Sequence, residues 1–265
     1  MSSRRFLAGQ VVIVVAAIVG YFGVRGMTEG DASTAHDNAE VVLEVERAIG
    51  INVEQRIQQL IESSEAVITL SNWVYIWLHW PVIVFTLIWL ARADRRSYLE
   101  LRNAMIISGL IGLVIFAAFP VAPPRLFGGE FIDTVTERSH AYRVLQPPAF
   151  VNAYAAVPSL HFGWNLLVGV TWYRLAGNRR WRVAAVIMPA AMAWAVVATA
   201  NHWVFDVLVG GAVAVCGLAI ERHAGRPWKA RSEVLRKGRA LVGAGFGRED
   251  RPVTHSNARH RPIGR

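Results

Sequence analysis

The sequence has one cysteine, Cys216, and it lies inside an apolar run. No intrachain disulfide can form, which excludes the disulfide-stapled secreted scaffolds, and the thiol reads as a small packed hydrophobe. Charge is scarce as well. Asp, Glu, Lys and Arg make up 18% of the residues against 54% hydrophobic ones, a balance that excludes an ordinary soluble domain. No internal repeat is apparent, which weighs against a proton-coupled transporter built from duplicated halves. Basic residues concentrate at the C-terminal end, where twelve Lys or Arg between Arg222 and Arg265 face only Glu233, Glu249 and Asp250. That stretch holds the whole net charge of +9. It follows directly on an apolar run and shows no alternation with aromatics. It therefore reads as a largely disordered cytoplasmic tail held near anionic headgroups, and not as a nucleic-acid surface.

What the chain has in abundance is apolar sequence of membrane-spanning length. Six stretches stand out: Phe6 to Gly23, Val67 to Ala91, Ala104 to Phe119, Pro158 to Leu175, Val183 to Ala200 and Trp203 to Ile220. At about 1.5 Å per residue each comes near the thickness of a bilayer core. The expected fold class is an all-α integral membrane bundle of six transmembrane helices with an extracytoplasmic amphipathic helical segment. Basic residues fall in alternate connections: Arg4 and Arg5, then Arg92, Arg95, Arg96 and Arg102, then Arg174, Arg179, Arg180 and Arg182, then the tail. Positive loops stay in the cytoplasm, so both termini are expected there, in a multi-pass protein of the plasma (inner) membrane. No small-x-small cleavage site directly follows the first span, which is expected to remain as an anchor. The expected divisions are a first helix over 1–27, amphipathic helices over 28–66, a transmembrane core over 67–221 and the tail over 222–265.

Within the amphipathic segment Val41, Val45, Ala48 and Ile49 recur at helical spacing and Gly50 can end the helix. Asn52 with Gln55 is placed to cap a second helix carrying Ile57, Leu60 and Ile61. The pair could lie on the membrane surface, fold back over a site, or serve only as an external packing element.

Polar groups inside membrane spans are costly and usually functional, and here they cluster at span ends. In His202-x-x-x-Asp206 the spacing of four lets the carboxylate accept a hydrogen bond from one imidazole nitrogen, leaving the other free as base, nucleophile or ligand. Pro158-Ser159-Leu160-His161 opens another span, with Pro158 suited to a first helical turn. Backbone amides and the Ser159 hydroxyl are expected to point outward there as an anion site, with His161 within reach to donate a proton. Phe119 to Leu126 closes the third span with three prolines, which hold Arg125 near the interface as a phosphate-binding guanidinium. His161 and His202 are 41 residues apart, enough for two crossings, so both return to one side. By the charge pattern that side is extracytoplasmic.

Pro-Ser-x-His at Pro158–His161, His-x-x-x-Asp at His202–Asp206 and the proline-arginine pair at Pro124–Arg125 together resemble the type 2 phosphatidic acid phosphatase superfamily. The strings Pro123–Leu126, Tyr154–Trp164 and Asn201–Trp203 are more similar to its inositol phosphorylceramide synthase-like branch. The resemblance covers Glu46 to Ala219 and implies a lipid phosphatase or phosphotransferase that needs no metal or other cofactor. It implies that His202, oriented by Asp206, attacks phosphorus to form a phosphohistidine, while His161 protonates the leaving alkoxide. Arg125, Ser159 and Asn201 would bind the substrate, a lipid phosphate or phospholipid. Water or an alcohol would accept the phosphoryl group, and a transferred headgroup would be inositol-phosphate-like. A simple phosphatidic acid or polyprenyl phosphate phosphatase is the alternative. Two cations of the broader superfamily are missing, with Ala118 and Val196 in their places. Arg138, His140 and Arg143 are candidates to replace them, and a less charged diester substrate would need less neutralisation.

Overall fold

The computed structural model describes residues 3–28, 30–128, 131–138 and 152–245. Among these the fold is helical: α1 (Ser3–Met27), α2 (Ala32–Ile49), α3 (Glu54–Glu62), α4 (Glu65–Trp77), α5 (Trp80–Ala93), α6 (Arg95–Ala118), α7 (Thr134–Arg138), α8 (Leu160–Leu175), α9 (Arg179–Ala198) and α10 (Val204–Gly245). A short 3-10 turn over Pro124–Leu126 lies between α6 and α7. Among the described residues the β pairing is a single parallel bridge between Val121 and Ala155.

Among the described residues five segments are long and apolar enough to cross a membrane: α1, α4 with α5, α6, α9 and the first part of α10. The expected fourth span is α8, whose 16 residues extend about 24 Å, short of a full crossing on their own. The second span is broken at Leu78–His79, where Pro81 lies in the first turn of α5 and His79 leaves the helical region. α6 begins nine residues before the expected start at Ala104, because Asp94 caps it through the Arg96 and Ser97 N–H groups.

A compact unit comprises Met1–Arg222, and His223–Arg265 forms a second. The helix α10 runs on to Gly245 where disorder was expected, through Ala, Leu, Lys, Arg and Glu, which favour helix; residues 246–265 lie outside the described ones. Cys216 is exposed on α10, not packed, a position on which a small apolar side chain can face lipid at little cost.

The first unit is held at both ends. At one, Glu100 of α6 accepts from Arg174 of α8 and from Arg222 of α10. At the other, α2 packs Ala35, Ala39, Val42 and Leu43 onto Val121, Ala122, Ala156, Val157 and Trp203. This buried face differs from the expected one: Val41, Val45 and Ile49 are exposed, and small residues plus Glu46 face inward so that α2 can lie close to the loops. Gly50 ends α2 in the left-handed conformation, as its position predicts. The N-cap of α3 is Val53, and Asn52 instead bonds Glu54 at 3.3 Å.

Where α8 crosses α10, glycine allows close approach. A Cβ on Gly163 would meet the Gly210 carbonyl oxygen at 2.6 Å, and one on Gly210 would meet the Ser159 carbonyl oxygen at 2.3 Å. The Ser159 N–H donates to the Asp206 backbone carbonyl at 3.0 Å. The crossing therefore fixes the start of α8 against the start of α10, and with it the two histidine motifs.

Candidate active site

The chain leaves α9 through Thr199 and Ala200, and Ala200 sits at φ 55, a region that non-glycine residues seldom occupy. This sharp turn lets the N–H groups of Asn201 and His202 both donate to the Val196 carbonyl, at 3.1 and 3.0 Å. His202 is thereby presented beneath the loop of Ala155–Pro158. Its Nδ1 lies 2.8 Å from the Ala156 carbonyl and 3.2 Å from an Asp206 carboxylate oxygen. Both neighbours are acceptors, so Nδ1 carries the proton and Nε2 keeps its lone pair. Burial pushes His202 down to about 3, against the Ala156 hydrogen bond, and the Arg25 and Arg125 charges act in the same direction as burial. The imidazole is neutral, with the Nε2 lone pair free. Asp206, itself fully buried, is anchored in turn by the Trp203 N–H at 2.9 Å.

His161 lies on the first turn of α8 with its ring centroid 6.1 Å from that of His202. Tyr75 stacks on it at 4.6 Å, and His79 meets it at 4.3 Å. The stacked phenol offers a π face to an imidazolium. One amide nitrogen of Asn165 donates to the His161 carbonyl at 2.9 Å and reaches His79 Nδ1 at 3.1 Å. A carbonyl can only accept, so that atom is the amide NH2, and His79 carries its proton on Nε2.

Arg125 is fixed by Asn201, which accepts from its Nε at 3.0 Å, and by Asp133 at 3.4 Å. Asn201 is tied behind by donating to the Thr199 carbonyl and hydroxyl at 3.1 and 3.0 Å. Asn201 lines the pocket, yet its amide is committed to holding Arg125. Ser159 departs from the expected outward-facing anion site: it is fully buried, its N–H is taken by Asp206, and its hydroxyl is without a partner and outside the pocket lining. The tight α8–α10 crossing forces this inward position. Of the other cation candidates, Arg138 lies on α7, while His140 and Arg143 lie outside the described residues. Among the described residues no group of three His, Cys, Asp or Glu is placed to hold a metal ion.

The pocket is lined by His161, His202, Arg125 and Asn201 together with Arg25 and Tyr75, which the sequence reading did not single out. Arg25, in the last turn of an apolar helix, reads from sequence as a snorkelling residue. His79 does have a sequence signal, since it lies two residues before Pro81 in an otherwise continuous span. Tyr21 and Trp80 line this pocket and also an adjoining apolar groove of about 330 Å³ between α1, α5, α6 and α8. The groove runs along α6 from Arg102 to Leu113. Eleven helical steps cover about 16 Å, the depth of one leaflet of a ~30 Å hydrocarbon core.

Two further elements fix the loop above the histidines. Buried Glu46 of α2 accepts from the Phe205 N–H at 2.6 Å, and buried Glu54 of α3 accepts from the Val204 N–H at 2.8 Å. Two glutamate side chains thus cap the helix that carries Asp206 by accepting from its first N–H groups. Burial, together with the Glu54 carboxyl beside it, raises Glu46 to about 8. The amphipathic pair packs on the loops and on the start of α10, and none of its residues lines the pocket.

Comparison with known proteins agrees with this chemistry. The family profile described as "PAP2 superfamily" matches residues 40–220. The phosphoinositol dihydroceramide synthase of Bacteroides thetaiotaomicron is 24% identical over 168 residues, covering 53% of this chain and 50% of that protein. The chain thus spans about half the length of the curated relative it matches. No solved structure matches.

Proposed function

The chain belongs to the PAP2 superfamily, and from that premise we propose that it is a membrane phosphotransferase or phosphatase acting on a lipid phosphate ester or phosphodiester through a phosphohistidine. The observation that carries this reading is the pairing of a neutral His202, its Nδ1–H held by Ala156 and Asp206, with His161 at 6.1 Å in a pocket bearing two guanidiniums.

In the first step His202 Nε2 forms a bond to phosphorus as the phosphorus–oxygen ester bond breaks, and His161 gives its proton to the departing alkoxide. Arg125 stabilises charge on the equatorial oxygens, and Asn201 keeps it in place. In the second step an acceptor hydroxyl gives its proton to His161 and attacks phosphorus, releasing His202. Water as acceptor gives a phosphatase; an alcohol gives a transferase.

The apolar groove that shares Tyr21 and Trp80 with the pocket supports a substrate whose headgroup is anchored by an acyl chain. Likeness to a phosphoinositol dihydroceramide synthase supports the synthase-like branch and transfer of an inositol-phosphate-like headgroup. With basic connections retained in the cytoplasm, the reading places six crossings in the inner membrane, both termini inside and the histidines at the extracytoplasmic face.

The test is purified protein in detergent with radiolabelled lipid phosphates, with and without alcohols such as inositol. A new phospholipid species supports transfer, and free phosphate supports hydrolysis. Full turnover by both His202→Ala and His161→Ala would end the phosphohistidine mechanism.

A further inference from the structure

The superfamily positions held here by Ala118 and Val196 carry no cation, yet the pocket contains two guanidiniums. Arg125 comes from a family motif. The second, Arg25, comes from the last turns of α1, outside the matched residues 40–220. Arg125 is held by Asn201 and Asp133, whereas the Arg25 Nε is buried with no hydrogen-bond partner, and among the described residues no carboxylate pairs with it. A buried, unpartnered guanidinium donor is unfavourable unless a ligand satisfies it.

The turn that carries it is positioned. The Asn152 side-chain amide donates to the carbonyls of Arg25 and Thr28, at 3.2 and 3.1 Å. Its Oδ1 accepts from the Tyr154 N–H at 2.9 Å. Asn152 begins the segment that leads into Ala156, Pro158 and His161, so the end of α1 is tied to the strand of chain that forms the pocket wall. Tyr21, one turn earlier, packs on Trp164 of α8 at 5.6 Å.

We propose that Arg25 is the second phosphate-binding cation of the site, so that α1 is part of the catalytic apparatus and not only an anchor. The ligand is the phosphate group of a lipid headgroup, held between Arg25 and Arg125 while His202 attacks. This rests on the phosphotransfer reading. It also accounts for the electrostatic bearing of both arginines on His202. A guanidinium matches two phosphate oxygens with parallel donors, which a lysine cannot do.

The experiment compares wild type, Arg25→Gln and Arg25→Lys as full-length protein in detergent. Two readouts are used: kcat/KM on radiolabelled phospholipid, and binding of orthovanadate and of inorganic phosphate, followed by thermal shift. Loss of one charge-assisted contact lowers kcat/KM roughly 10- to 100-fold in Arg25→Gln and weakens orthovanadate binding by a similar factor, with partial recovery in Arg25→Lys. Wild-type kcat/KM and wild-type anion affinity in Arg25→Gln overturn the proposal. So does a lowered thermal midpoint without ligand that is shared equally by both variants, since that marks a packing role. If wild type turns over no phospholipid but binds orthovanadate, and Arg25→Gln loses that binding, Arg25 stands and the reaction assigned above falls. Absence of anion binding in wild type removes both. Phosphate binding without lipid turnover in the same variants separates free phosphate from a headgroup as the ligand.

Discussion

A methyl group added at Gly210 tests whether the α8–α10 crossing sets the catalytic geometry. The new Cβ would lie 2.3 Å from the Ser159 carbonyl oxygen and 2.9 and 3.0 Å from its carbon and nitrogen, all backbone atoms, where ordinary contact begins at 3.4 Å. No rotamer relieves this, so the two helices must part by about 1 Å, the distance needed to restore normal contact. That displacement falls between His161 and His202, whose rings are 6.1 Å apart. It also strains the Ser159-to-Asp206 backbone hydrogen bond of 3.0 Å. Misplacement on this scale reduces rate about 100-fold, while overpacking lowers stability by about 1–3 kcal/mol.

Gly211 next to it supplies the control. A Cβ there meets the tip of the Phe162 ring at 3.1 Å, and a side chain can turn aside where a backbone cannot. The assay is kcat on radiolabelled phospholipid for Gly210→Ala and Gly211→Ala, with thermal midpoints in the same detergent. Gly210→Ala should lose about two orders of magnitude in kcat and Gly211→Ala less than about threefold, by the misplacement argument above. Equal activity in the two variants would show that the crossing does not set the distance between the histidines.

Removal of His202 should abolish turnover, while His161→Ala should lose roughly 10²- to 10⁴-fold, with the greatest loss on substrates whose leaving alkoxide is most basic; kcat across such substrates measures it. Asp206→Asn should cost less, roughly 10- to 100-fold, because the Ala156 carbonyl at 2.8 Å still accepts the Nδ1 proton; a loss as complete as that of His202→Ala would contradict this. Glu46, raised from 4.5 to about 8, holds a proton in the folded state that the unfolded chain has released over that interval, so stability is greatest below it and falls as pH rises through it. Thermal midpoints between about pH 5 and 9 should therefore decline, and Glu46→Gln should flatten the decline, as the titration argument requires. Turnover should survive a metal chelator, since no step assigned to these residues uses a metal ion; loss restored by a divalent cation would refute that.

The legible part of this protein is the part written in short-range spacing. Pro158-Ser159-x-His161 and His202-x-x-x-Asp206 each lie within one turn, so their chemistry can be read from residue order. Five of the six expected spans were legible for a different reason: an apolar run declares itself one residue at a time. What depends on one segment meeting another was not legible. Arg25 reaches the pocket from the first helix, and nothing near it in sequence distinguishes it from an interfacial arginine. The buried face of α2 was misread because it is made of Ala35, Ala39 and Glu46, whose value lies in fitting the loop around Trp203 and capping α10. Ser159 was expected to face outward because a helix start is usually open; here Gly210 packs directly over it.

The same reasoning explains why the missing cations could not simply return to their usual places. Val196 is fully buried among Met192, Ala195 and Val207, and its carbonyl accepts both the Asn201 and His202 N–H groups. An arginine there would have to bury its charge in an apolar cluster at the very residue that orients His202. Ala118 is exposed at the end of α6 and is not part of the pocket wall. In this chain a second guanidinium can enter from another direction, and the C-terminal end of α1, bound by Asn152 to the pocket wall, offers one. With Arg125 already sharing its charge with Asp133, the pocket suits a phosphate of modest charge better than a dianion. A diester headgroup, the substrate proposed above, meets that condition with one negative charge against the two guanidiniums.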